Sequence, residues 1–184
     1  MALKSTIFKV DLQIADMDRH YYADHALTLA RHPSENDERL MARVLAFALH
    51  ADDTLAFANG LTSNDEPDLW KRELTGDISL WVDVGQPEEK LLRKASHRAR
   101  EVVLLCFGRT AEVWWAQNRS ALERYDNLKV LHLSQEAVQA LAALVERTMR
   151  LQCTIQDGQI WLGHERQTVQ LEVAVWKQPK AGPR

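Results

Sequence analysis

A mixed α/β chain is what this sequence predicts, with strands and helices interleaved. Three observations carry the expectation. Aliphatic or aromatic residues at every second position over 8–14 and 78–84 mark half-buried strands. Residues 102–107 (V-V-L-L-C-F) are apolar throughout, as in a strand covered on both faces. Around these strands lie stretches at 34–49, 87–99, 110–124 and 134–145 whose apolar residues recur at helical spacing.

In chain order, Phe8, Val10, Leu12 and Ile14 oppose Lys9, Asp11 and Gln13. Asp16-Met17-Asp18 breaks that pattern and 21–30 resumes it, so an N-terminal hairpin is expected. Ser34 reads as the N-cap of a first helix, with Asp37 three residues on and Glu35, Asp37 and Glu38 over the first turn. Leu40, Met41, Val44, Leu45, Ala48 and Leu49 give its core face. Residues 59–67 (N-G-L-T-S-N-D-E-P) are a loop of turn formers. Residues 68–74 and 78–85 pair as a hairpin turning at Thr75-Gly76, and Gln86-Pro87 opens the next helix, with Pro87 at its first position. Residues 110–124 form a further helix carrying Trp114 and Trp115, 129–133 a short strand, and Ser134 caps the last helix. Asp157-Gly158 turns a hairpin between 151–155 and 160–162, and 169–175 alternate as one final strand. Residues 1–176 are expected to make one domain and 177–184 a disordered basic tail.

With 184 residues, 46% of them hydrophobic, the chain has the length for one well-buried core. A net charge of −3 argues against a globally basic, nucleic-acid-coating surface, while leaving room for a local basic patch. Cys106 and Cys153 sit in apolar strands and read as buried thiols of a reducing compartment, with no disulfide. The first residues lack the apolar core of a signal peptide, and no run is long enough to span a bilayer. A cytoplasmic protein without a membrane partner is expected, with a monomer as the default state and its protein partners unspecified. His20, His25 and His32 match no zinc spacing. P-loop, G-x-G-x-x-G, H-E-x-x-H, C-x-x-C and G-x-S-x-G motifs are absent, which removes the enzyme classes they define.

The informative stretch is 66–99. In strand 78–85, Ile78, Leu80, Val82 and Val84 face one way, and Ser79, Trp81, Asp83 and Gly85 the other. A two-residue turn sets Leu74 opposite Asp77, Trp70 opposite Trp81 and Asp68 opposite Asp83. Two carboxylates so opposed repel, and a cation between them removes the conflict. A glycine bulge would shift the register by one and part the aspartates, so both registers stand. In the helix that follows, Lys90, Arg93, Lys94, His97 and Arg98 share one side. This is either an ordinary solvated face or the source of a lysine that steadies negative charge near Asp83. Glu38 complements the dipole of its helix or serves the same site. Trp70 and Trp81 are core packing or a stacking platform for bases.

The segments D-M-D-R-H-Y-Y, L-A-R-H-P-S-E, E-P-D-L-W, W-V-D-V-G-Q-P, the following K-A-S, and T-I-Q-D-G-Q-I-W-L resemble the YaeQ family over nearly the whole chain. The resemblance implies a restriction-endonuclease-like core with a variant PD-(D/E)XK motif: a helix, a hairpin with two acidic residues, a second helix and another strand. Here the N-terminal hairpin and the C-terminal strands are additions to that core. By the same resemblance, Pro67-Asp68 matches the first acidic motif, Asp83 the second, and Glu38 the acid that some such nucleases hold on the first helix. The pattern departs at Gly85, where a lysine belongs. Gln86 lies beside it, and Lys94, then Lys90, are the candidates for the missing cation.

The implied chemistry is Mg²⁺-dependent phosphodiester hydrolysis of nucleic acid. Asp68, Asp83 and Glu38 are the metal ligands in that reading, and Lys94 or Lys90 the transition-state cation. The alternative is a non-catalytic module that binds nucleic acid or protein on a decayed nuclease fold.

Overall fold

The computed structural model describes residues 4–181. It has a mixed α+β architecture with two sheets, and the chain divides into two compact units where length alone suggested one domain. The first unit comprises residues 1–48 and 136–173, and the second residues 49–135 and 174–184.

In the first unit, β1 (Thr6–Asp16) and β2 (Tyr21–Arg31) form the expected hairpin. β8 (Thr148–Gln156) runs parallel to β1, and β9 (Gln159–Gly163) and β10 (Thr168–Glu172) complete a sheet in the order β10-β9-β8-β1-β2. The alternation is faithful: Phe8, Val10, Leu12 and Ile14 are buried together with Leu27, Leu29, Met149, Leu151, Cys153 and Ile155. The Asp157-Gly158 turn carries positive φ at both residues, as its tight hairpin requires. Asp18 in the β1–β2 turn accepts the backbone N–H of Asp157 at 2.7 Å and that of Gly158 at 2.9 Å.

Helix α1 (Asp37–His50) starts later than Ser34, the expected cap. The Ser34 hydroxyl is spent on His32 Nδ1, and Asn36 Oδ1 instead accepts the Arg39 N–H at 2.9 Å, three residues on, in N-cap geometry. Glu35 turns inward and takes Arg43 through two contacts, at 2.6 and 3.0 Å, and Arg39 at 2.6 Å. This buried carboxylate with two guanidiniums fixes the entry to α1.

The second unit contains a sheet in the order β11-β7-β6-β5-β4-β3. Its strands are β3 (Ala56–Phe57), β4 (Leu69–Arg72), β5 (Ile78–Val84), β6 (Ala99–Phe107), β7 (Leu128–Leu133) and β11 (Ala174–Lys177). β5, β6 and β7 are parallel, linked through α2 (Glu89–Arg98) and α3 (Thr110–Leu122), while α4 (Gln135–Ala142) follows directly on Ser134. Val102, Leu104 and Cys106 pack with Leu92, Ala95, Leu122 and Val130 in one core. Pro87 stands before α2 and not at its first position, because Glu88 is the N-cap. The Pro87 carbonyl accepts the Trp114 indole N–H at 2.9 Å.

The single strand expected over 169–175 breaks at Val173, and its second part becomes β11, antiparallel to β7. Trp176 there stacks on His132 and on Trp115. Lys177, expected in a disordered tail, donates to the Tyr125 and Leu128 carbonyls at 2.7 and 2.9 Å. The Lys180 N–H bonds the Asp126 carbonyl. Residues 182–184 of that tail lie outside the described residues. Cys106 and Cys153 are free and buried, and burial pushes both thiols up to about 12.

Candidate functional site

The hairpin of β4 and β5 sets the geometry. Its loop has three residues, Leu74, Thr75 and Gly76, because the Glu73 N–H bonds the Asp77 carbonyl. Glu73, not Leu74, therefore faces Asp77, and Leu74 is fully exposed. Gly76 takes φ +90° to close the loop. The extra loop residue shifts the register by one, so that Arg72 pairs with Ile78. A bulge at Ser79 shifts it back, and Lys71 pairs with Leu80 and Trp70 with Trp81. The Ser79 hydroxyl fills the irregularity by donating to the Lys71 carbonyl at 3.2 Å.

Two compensating irregularities thus restore the Trp70–Trp81 pairing that the simple hairpin gives. The paired ladder ends at Leu69 opposite Val82, one residue short of Asp68. The Asp68 N–H bonds the Val82 carbonyl at 3.0 Å, and Asp68 Oδ2 accepts the Val84 N–H at 2.8 Å. Asp68 is only 4% exposed, so its carboxylate is held against the Asp83–Val84 peptide. Asp83 is half-buried, and its Oδ2 accepts the Trp81 indole N–H at 3.0 Å.

Trp81 is 3% exposed. Trp70 meets it edge-on and the Arg98 guanidinium lies 5.1 Å from its ring centroid. Trp70 itself carries Arg72 at 4.9 Å. Base stacking needs open ring faces, and Trp81 has none to offer; its task is to hold Asp83.

Gly85 has φ +109°, a backbone conformation that side-chain-bearing residues rarely adopt. The strand turns there, with the Gly85 N–H on the Leu105 carbonyl. The absent lysine is therefore a matter of backbone as well as of residue type. Gln86 Nε2 bridges to the Phe107 carbonyl at 2.9 Å and the Thr110 hydroxyl at 3.0 Å, tying the end of β5 to the start of α3. Lys90 is exposed and pairs with Glu88 at 3.2 Å. Lys94 pairs with Asp65 of the 59–67 loop. Glu38 belongs to α1 in the first unit and stands in its first turn, where a carboxylate complements the helix dipole.

Asp65 and Gly60 were not picked out from the sequence. A Cβ on Gly60 would stand 2.5 Å from the Pro67 carbonyl carbon and 2.6 Å from the Asp68 nitrogen, so glycine alone lets the loop close on the Pro67-Asp68 segment. The glycine itself was the available signal, but only the fold says what approaches it.

Among the described residues, no group of three or more His, Cys, Asp and Glu is placed to hold a metal ion. A cavity of about 570 Å³ in the first unit is lined by Asp11, Gln13, Asp24, Arg150, Gln152 and His164, and contains none of the candidate residues. Among the described residues no helix is long and apolar enough to cross a membrane.

The family model described as YaeQ protein matches residues 1–173. The chain belongs to the YaeQ family. It is 44% identical over 180 residues to the YaeQ protein of Escherichia coli (strain K12), covering 97% of this chain and 99% of that one. The Salmonella typhi YaeQ protein is 43% identical with the same coverage. The crystal structure of YaeQ from Xanthomonas axonopodis pv. citri superposes with a TM-score of 0.92 at 50% identity, covering 95% of this chain and 99% of that one. YaeQ from Pseudomonas syringae gives 0.91 at 30% identity, with 96% and 98% covered. The architecture described above is thus that of solved members of the family.

Proposed function

We propose that this chain is a Mg²⁺-dependent phosphodiesterase acting on nucleic acid, on a variant of the restriction-endonuclease-like core with a PD-(D/E)XK-type motif. One observation carries the reading: the Asp68 carboxylate bonds the N–H of Val84, the residue that follows Asp83 on the neighbouring strand. The order α1, β4–β5, α2, β6 supports the fold assignment. The site lies toward the carboxyl end of β5, where it gives way to α2, a usual place for ligands in open α/β sheets.

The donor set suits magnesium. That ion commonly takes one or two carboxylates and fills its remaining positions with water and substrate phosphate. Asp68 and Asp83 would hold it; a divalent ion so bound supplies an activated water at neutral pH and offsets phosphate charge. The Val84 N–H orients Asp68, and the Trp81 indole N–H orients Asp83. Lys94 is the cation assigned to the developing negative charge, released from Asp65 when substrate arrives.

A second reading rests on that same ion pair. With Lys94 held by Asp65, the chain is equally built to bind a phosphate backbone without cleaving it. Labelled DNA and RNA oligonucleotides incubated with the protein and Mg²⁺ separate the two. Cleavage lost in both Asp68→Asn and Asp83→Asn supports the enzyme. Binding without cleavage in the wild type supports the module, and cleavage undiminished in both variants overturns the site.

A further inference from the structure

The loop over 59–67 is a strap with a fixed base. The Ala58 N–H bonds the Asp68 carbonyl at 2.9 Å, Gly60 abuts Pro67, and the Asn59 N–H bonds the Glu66 carboxylate at 3.1 Å. From that base, Asp65 reaches across to α2. Its carboxylate takes the Lys94 ammonium, and its backbone carbonyl takes Arg98 Nη1 at 2.6 Å. Lys94 and Arg98 are one turn apart on the same helix face. Two oxygens of one residue therefore sit on two cations, as two oxygens of a bound phosphate would.

This cation pair connects to the acidic site from both sides. Arg98 lies over the Trp81 ring, and Trp81 donates to Asp83. Asp65 precedes Asp68 by three residues in the chain. The Lys94–Asp65 contact is open to water, with the two side chains 46% and 76% exposed, so it is weak, salt-sensitive and exchangeable.

We propose that Lys94 and Arg98 form a phosphate subsite, linked to Asp83 through Trp81, and that Asp65 occupies it as an internal competitor until a phosphate group of the ligand displaces it. The proposal rests on the phosphodiesterase reading for its biological ligand, but the subsite itself requires only phosphate chemistry. The Lys94 ammonium also holds the Asp65 carboxyl below the usual carboxylate range.

The test is calorimetric titration of inorganic tripolyphosphate, without metal, into the wild-type chain, Asp65→Asn, and Asp65→Asn combined with Lys94→Gln. Asp65 is exposed, so its substitution leaves the core intact. Asp65→Asn is expected to bind about two- to fivefold tighter than wild type, the range spanned by loss of an exposed ion pair. The added Lys94→Gln change is expected to abolish the gain. Asp65→Asn binding no tighter than wild type, or no binding by either, overturns the subsite. The expected tripolyphosphate result, obtained where no oligonucleotide is bound or cut, removes the nuclease reading and leaves the subsite standing.

Discussion

Single side chains divide here into those whose loss costs stability and those whose loss costs chemistry. In the proposed reading Asp68 belongs to both groups. Replacing it by alanine removes the buried carboxylate that accepts the Val84 N–H, so Asp68→Ala is expected to lower stability by about 1–3 kcal/mol in chemical denaturation. Asp68→Asn retains an acceptor oxygen and should lose much less, which makes it the better probe of function. The cysteines make a second residue-scale prediction. Burial pushes both thiols up to about 12, so they stay protonated in the native chain well above the range where exposed thiols ionise. A thiolate-seeking reagent at pH 8 should leave the native protein unmodified and label both residues after unfolding. The sign of the linkage follows. These groups favour the folded state below the ordinary thiol value of 9.0, and their contribution falls as pH rises from there toward 12.

At the scale of elements, the hairpin of β4 and β5 shows how far a sequence can be read. Trp70 opposite Trp81 was legible from alternation and a glycine turn. The path to that register was not: a three-residue loop and the Ser79 bulge cancel, and no local residue preference announces a pair of offsetting shifts. The alternating strands and the apolar run of β6 were legible because burial imposes their patterns directly. Three features were hidden because they depend on tertiary contacts. Asn36 caps α1 because Ser34 is engaged by His32, the last strand divides at Val173 between two sheets, and Trp81 is buried under Arg98 and Trp70. The strap yields a prediction of its own. Gly60→Ala drives a methyl into the Pro67-Asp68 backbone, so a loss of about 1–3 kcal/mol is expected. Because that strain falls on the segment bearing Asp68, the proposed phosphodiesterase activity should drop with it. A variant as active and as stable as wild type would show that the strap is not fixed at this point.

Across the whole molecule, the charge distribution limits how nucleic acid can be held. A chain of net charge −3 has no basic coat, so any affinity for nucleic acid must come from a few placed cations. If Lys94 and Arg98 supply two phosphate contacts, log K should fall with log salt at a slope of about −1.8 for duplex DNA. A slope several times steeper, measured by fluorescence anisotropy, would place the interface elsewhere. The central claim is narrower than affinity: Asp68 and Asp83 together hold the ion that makes the site work. Calorimetric titration of Mg²⁺, with an oligonucleotide present, into wild type and Asp83→Asn tests it most directly. Saturable binding in the wild type that disappears in the variant is the predicted result. Equal binding by the two, or binding by neither, contradicts the assignment.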